Sequence, residues 1–493
     1  MTTAADAGRR IILRGSMSTA LGFAIKAGAR LLFLYVAGRL FGVALFGAFG
    51  LAVAVIELAV SAGGLGMKRM LFKLLDERPE DRPAIHIVLD SALIVVAASL
   101  TIAAVIMGAT WLVPLPQSAA TSTALFILAP MIAGQALLDV LLAATRWKQK
   151  IRYEVTARSI VEPYAGVAAA IAAYWCGATA IGLPLSYWGG TLAAVAYTVW
   201  GLRHCYGSFL LASYRVELRA LLATFRTTSA AAFSDIVNAL FGRVDLYLVG
   251  AFLGESAAGL YGMARQGRTP IRQVRQSFDG LLTPLIAKTL KLNGAVATGT
   301  ATASAARLIL SIQLAVLIVL IGIGHPLLGS IRPEFAAGYT ALVLLTLGEA
   351  IQSALGLTDL ILLYRKPSLT LALTGAGIAI NVAAAWLLMP TLGINGAAAA
   401  VVVANVATAL LRRIMLKQGL GIRIPLRLNG ALFACAAVGI AGAMLAARAL
   451  DPALSPFLCA IPLAAGLIAY AAMLKAWTSL TPGALSLAGF RTE

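Results

Sequence analysis

Acidic side chains are scarce in this chain: 20 aspartates and glutamates face 39 lysines and arginines, and charged residues of both signs make up only 12% of 493 positions. A soluble domain usually carries about a quarter charged residues, so that class is excluded. Cysteine is rarer still. Cys176, Cys205, Cys435 and Cys459 form no CxxC pair, and His86, His204 and His325 stand far apart, so neither a disulfide framework nor a metal site is expected. No GxxxxGK[ST] loop is present to cradle a nucleotide. No Ser/His/Asp set converges, and the loops are too short to house a transferase site, so an enzyme is not expected. The formal charge of +19 could point to nucleic acid, but the basic residues gather in alternate loops, as they do in membrane proteins that keep positive loops inside.

What the chain has in abundance is apolar length. It is 60% hydrophobic with a mean hydropathy of +0.89, and runs of roughly 20 apolar residues recur along it, the mark of a polytopic all-α membrane protein. About fourteen spans are expected, near 16–38, 46–66, 86–113, 119–145, 159–176, 180–201, 229–252, 259–287, 301–324, 337–363, 368–388, 394–411, 429–447 and 455–474. Basic loops follow the second, fourth, tenth and twelfth spans, which places both termini in the cytoplasm. The KRMLFKLL portion of the first such loop suits the membrane interface. The segment after Arg9, Arg10 and Arg14 contains Lys26 and Arg30 and runs too long for a cleavable signal peptide.

One stretch contradicts its own membrane environment. Residues 259–289, GLYGMARQGRTPIRQVRQSFDGLLTPLIAKT, have the length of a span yet carry Arg265, Arg268, Arg272 and Arg275. Spacings of three, four and three keep these on one helical face. Facing lipid, each would cost roughly 2.5–3.5 kcal/mol even on the lenient insertion scale. The row must therefore face water or partner acids, and a wet basic cavity suggests an anionic cargo. Lys26 and Arg30, one turn apart in the first span, would extend the basic wall. Arginine forks and a lysine point charge are the groups that bind a diphosphate well.

The chain also repeats itself. LYVAGRLFGVALFGAFG at 34–50 lies on LYLVGAFLGESAAGLYG at 246–262 with an offset of 212 residues (250 − 38), bringing Gly38/Gly250, Gly42/Gly254, Gly47/Gly259 and Gly50/Gly262 into register. Six spans separate the copies, so both halves share one orientation, an arrangement that typically encloses a transport site. The expected organisation is an N-terminal lobe at 1–201, an amphipathic cytoplasmic linker at 202–227, a C-terminal lobe at 228–428, and two appended helices with a tail at 429–493.

On the exit turn of the first span, on DLYLVGAFLGESAAGLYGMAR and on LLMPTLGINGAAAAVVVANVATALLRR, the chain resembles bacterial lipid-linked oligosaccharide flippases. These belong to the superfamily that also holds lipid II flippases and multidrug antiporters. The resemblance implies two six-helix bundles plus two C-terminal helices in the bacterial inner membrane. It further implies alternating access and flipping of a polyprenyl (undecaprenyl) pyrophosphate-linked oligosaccharide for surface polysaccharide synthesis. The partners it implies are that lipid-linked oligosaccharide, membrane lipid and polysaccharide polymerase machinery, with no nucleic acid. Rivals are a multidrug or cation antiporter on the same scaffold, and a membrane glycosyl- or acyl-transferase.

The remaining charges divide by role. Glu57, Asp139, Asp235, Asp245 and Asp279 are candidate partners for the intramembrane cations, and Arg275, one turn from Asp279, is expected to be half structural. Glu57, Asp235 and Asp245 are candidates for coupling to H⁺, Na⁺ or the membrane potential, and the resemblance to lipid II flippases, some of which use a sodium site, implies that Asp235 and Asn381 would stand in for part of one. No cofactor is expected. Glu349, Asp359 and Glu162 read as inter-helix partners. Pro270 removes a helical hydrogen bond inside the arginine row; with Gly22 and Gly28 it is a candidate hinge.

Overall fold

A computed structural model describes residues 3–78, 82–112, 119–207, 214, 218–426, 428–448, 460–481 and 485. Every regular element among them is helical. The chain packs as two units, Met1–Gly259 and Leu260–Glu493.

In the first unit, α1 (Thr3–Gly63) holds both of the first two expected spans. It passes Gly22 and Gly28 without interruption and breaks instead at Gly42, whose φ of 80° and ψ of 177° are non-helical. That conformation is open to glycine and strained for other residues. After Gly66 (φ 67°) the chain turns into α2 (Met67–Asp76), which buries Met67, Leu71 and Leu75 on one face and carries Lys68, Arg69 and Lys73 on the other. The segment read as KRMLFKLL is thus an amphipathic helix. Helix α3 (Ala84–Leu112) follows. Then α4 (Ala119–Leu128) and α5 (Met131–Trp147) form one span bent by 45°, with Pro130 between them. Helix α6 (Arg152–Thr156) continues through a π-helical turn (Ala157–Val161) into α7 (Glu162–Trp175), and α8 (Gly182–Tyr206) returns. Trp111 and Trp175, at the far ends of α3 and α7, are among the most exposed large side chains. Wide indoles near helix ends are the expected anchors at a bilayer surface.

Of the linker, residues 208–213 and 215–217 lie outside the described part. Its last residues open α9 (Leu218–Phe241), which runs unbroken into the seventh expected span. A 48° bend at Gly242-Arg243 leads to α10 (Val244–Gly267). Inside α10, Gly254 has φ 83° and ψ −178°, the backbone of Gly42 repeated at its partner position in the 212-residue register.

The second unit holds the end of α10 and α11 (Thr269–Leu292), followed by α12 (Gly294–Ile331). A 3₁₀ turn (Pro333–Gly338), α13 (Tyr339–Ala354) and α14 (Thr358–Arg365) come next. Helices α15 (Pro367–Leu392), α16 (Ile394–Leu420), α17 (Asn429–Arg448) and α18 (Ala460–Leu480) complete it. Helices α17 and α18 pair through glycine: a β-carbon on Gly466 would stand 2.7 Å from the Gly439 carbonyl oxygen. Such close backbone approach is what small residues allow where lipid supplies no hydrophobic drive between helices.

By length and apolarity, seven helices among the described residues can cross a membrane, or nine with each bent pair counted as one span. The described helices are nonetheless consistent with about fourteen spans, several of which fall outside a test of length and apolarity. Helix α1 contains two expected spans in one helix, and α11 carries five charged residues. The chain is a multi-pass membrane protein.

Candidate functional site

The arginine row is not one helix. Helix α10 ends at Gly267, Arg268 caps α11, and Pro270 falls in the first turn of the new helix, where a missing N–H is tolerated. The i→i−4 bonds nonetheless persist: Arg268 N donates to Ala264 O at 3.3 Å and Arg272 N to Arg268 O at 3.4 Å. The path stays helical in outline but softens beside the cations. The internal proline of α11 is Pro284, a turn and more beyond the row.

The four guanidiniums have different surroundings. Arg268 and Arg275 are buried, Arg265 is half-buried and Arg272 is exposed. Arg268 Nη1 stands 3.7 Å from Glu349 Oε1 on α13, both side chains less than a tenth exposed. Arg275 donates to Gln352 Oε1 at 3.2 Å, again on α13, and to Asp359 Oδ2 on α14. Arg412 on α16 is also buried and acts on the same Asp359. Among the described residues no carboxylate lies within ion-pairing distance of Arg272.

These partners differ from those expected in the sequence. Arg275 is matched by Asp359 on a different helix, whereas Asp279, one turn along its own helix, makes no ion pair with it among the described residues. The other acids are taken elsewhere: Glu57 pairs with Arg243, Asp139 with Lys68 and Arg158, and Asp235 with Arg69. The row's counter-charges are Glu349 and Asp359, read in the sequence as inter-helix partners. The third acid of that group, Glu162, pairs with Arg158 at 2.9 Å. Gln352 and Arg412 were not singled out. Gln352 follows Glu349 by three residues on one helix face, a signal present in the sequence, while Arg412 is masked by the run of cations in its loop.

The remaining candidates are dispersed. Arg30 is half-buried on α1, and the side chain of Lys26 lies outside the described residues. Glu57 and Asp235 are already neutralised by arginines, so neither requires an ion for its charge. Asp245 is buried at the start of α10. Asn381 is buried in α15, and its Oδ1 finds no hydrogen-bond donor among the described residues.

This arrangement can hold an anion. A cation presented between two buried, acid-clamped neighbours is preorganised, and its charge is left for a ligand. The clamped pairs hold the row in place, and Arg272 stands exposed between them.

The fold itself is shared with solved structures. The lipid II flippase MurJ in an inward closed conformation superposes with a TM-score of 0.75 at 13% identity, covering 94% of this chain and 99% of that one. A multidrug resistance MATE family transporter of the MOP superfamily, inward-facing, gives 0.63 at 14% identity over 80% of this chain and 94% of that one. The Vibrio cholerae MATE transporter VcmN gives 0.55 at 13% identity, with 83% and 98% covered. At such identities the likeness is one of fold. No curated protein sequence matches. Residues 12–290, more than half the chain, match the family described as Polysaccharide biosynthesis protein; with its all-helical membrane fold of the MurJ and MATE type, the chain belongs to that family.

Proposed function

We propose that this protein flips a polyprenyl-pyrophosphate-linked oligosaccharide from the cytoplasmic to the outer leaflet by alternating access, in the bacterial inner membrane and with both termini inside. The family supports a role in polysaccharide assembly. The observation that carries the cargo class is Arg272 on α11, an arginine with no carboxylate within ion-pairing distance among the described residues, flanked by Arg268 and Arg275 with theirs. A cationic drug would be repelled by this site, whereas a diphosphate offers several acceptor oxygens to it. The lipid tail would stay in the bilayer while the headgroup is held at the row. Coupling would draw on H⁺, Na⁺ or the membrane potential, with Asp245 and Asn381 as the acid and amide to test. Polysaccharide polymerase machinery would take the product.

The test is reconstitution in vesicles with a labelled pyrophosphate-linked oligosaccharide. Wild type moves the label to the opposite leaflet, and Arg268→Ala/Arg272→Ala does not. Full activity in the double variant would remove this site. Loss of drug resistance on deletion, with surface polysaccharide intact, would establish the antiporter instead.

A further inference from the structure

A second cluster of charged side chains lies wholly within the first unit, and the arginine row takes no part in it. The end of α1, the start of α2 and parts of α5 and α9 line an open cavity of about 480 Å³, inside the roughly 300–1,000 Å³ range of small-ligand sites. Lys68, Arg69 and Arg146 reach it from two of these elements, and Asp139 and Asp235 line it as well. We propose that this cavity binds the phosphate or diphosphate group of a lipid, with Lys68, Arg69 and Arg146 as its ligands and Asp235 as the carboxylate the ligand displaces.

Each cation here already shares a carboxylate, so an anion would enter by exchange: Arg146 Nε stands 3.3 Å from Glu154 Oε2, and Arg158 is divided between Asp139 and Glu162. Asp139 Oδ1 accepts from Arg158 Nη2 at 2.5 Å and stands 3.3 Å from Lys68 Nζ, so Lys68 holds only a share of that carboxylate. Arg69 holds Asp235 at 2.8 Å. The side chains of Lys68 and Arg69 remain 52% and 55% exposed, and ion pairs at such exposure are weak and readily exchanged. A phosphate dianion offers each cation a stronger partner, with arginine forking onto two oxygens and lysine acting as a point charge.

The position selects a lipid. Helix α2 buries Met67, Leu71 and Leu75 on one side and presents its cations on the other, with Phe72 exposed among them. An amphipathic helix of that kind lies at headgroup depth, so a phosphate at Lys68 and Arg69 can keep its acyl or prenyl chain in the bilayer. Occupancy has a mechanical consequence. Arg69–Asp235 is an ion pair between α2 and α9, and a ligand that takes Arg69 removes that tie, leaving the packing of Gly66 on Ala231 and Ala232.

The inference does not rest on the cargo reading above, and its test is built to separate them. Purified full-length protein in neutral detergent, wild type and in an Arg268→Ala/Arg272→Ala background, is titrated with inorganic pyrophosphate by calorimetry. The same proteins are examined by native mass spectrometry with phosphatidylglycerol. Pyrophosphate binding without phosphatidylglycerol retention assigns the site to a diphosphate carrier; retention without pyrophosphate binding assigns it to a membrane phospholipid. In either case Lys68→Gln/Arg69→Gln weakens binding about tenfold or more, the worth of one charge-assisted contact. Asp235→Asn, which frees Arg69, tightens it severalfold in both backgrounds. Absence of both ligands, or unchanged affinity in a Lys68→Gln/Arg69→Gln protein that melts like wild type, overturns the proposal. If that variant does not fold, Asp235→Asn decides: affinity that is unchanged or weaker overturns it.

Discussion

Gly47 and Gly259, 212 residues apart, interlock reciprocally: a β-carbon on Gly47 would meet the Glu255 carbonyl oxygen at 1.9 Å, and one on Gly259 would meet that of Val43 at 2.2 Å. Val43 and Glu255 are separated by the same offset, so exchanging the two copies maps the contact onto itself. Two of the four glycine pairs aligned in the sequence therefore serve distinct purposes: Gly42 and Gly254 turn the chain, and Gly47 and Gly259 let the turned segments touch.

Because the obstructing atoms are backbone, they cannot swing aside. Gly47→Ala and Gly259→Ala are each expected to destabilise by about 1–3 kcal/mol, the usual cost of overpacking. Gly50→Ala, where a β-carbon meets nothing within 4 Å, is expected to be neutral or to stabilise by up to about 1 kcal/mol through the unfolded chain. Thermal melting of the three variants in one detergent ranks them. Equal midpoints would mean that the contact is not tight.

Arg268 and Glu349 make a different kind of contact, a buried ion pair. Removing one partner strands the other: Glu349→Ala should cost about 3–5 kcal/mol, while Arg268→Met/Glu349→Leu should cost distinctly less. A double-mutant cycle on melting midpoints reads the difference. Additive losses would show that the two charges do not depend on each other.

The contrast between these pairs explains what the sequence makes legible. Apolar length, the alternation of basic loops and the glycine register are local or periodic, so spans, repeat and arginine row can be read directly. Glu349 and Asp359 reach the row from 81 and 84 residues away in the chain (349 − 268 and 359 − 275), and no local pattern selects them over Asp279, the nearer acid. Likewise the row looks like one helix because its spacing is helical, while the break at Arg268 depends on backbone geometry that side-chain periodicity does not report. The cavity beside α2 was legible only as a basic loop, since the acids that line it come from α5 and α9.

Tyr214 ties the linker to α3. Its hydroxyl donates to Asp90 Oδ1 at 2.7 Å, and Arg82 holds the other oxygen at 2.7 Å. Burial, reinforced by that carboxylate, lifts the phenol above its ordinary value. The neutral, donating form therefore persists below the raised pKa, and the tether is insensitive to pH from neutral into the mildly alkaline range. Tyr214→Phe should cost about 1 kcal/mol and speed limited proteolysis within 202–227. Cleavage at the wild-type rate would show that the hydrogen bond does not restrain the linker.

Arg272 and Arg275 lie one turn apart on α11, yet their replacement should have opposite signatures. Arg275→Gln removes the partner of Asp359 and the donor to Gln352, so it should lower stability by about 3 kcal/mol. Arg272 is exposed and has no described carboxylate to strand, so Arg272→Gln should change stability by no more than about 0.5 kcal/mol. If the row grips a diphosphate, that same variant should lower flipping in vesicles about tenfold or more, since a charge-assisted contact to the cargo is lost. Measuring melting midpoint and transport on the same preparations separates the two roles. An Arg272→Gln protein that is stable and fully active would mean that the exposed cation only faces water, and the cargo would then have to be held elsewhere.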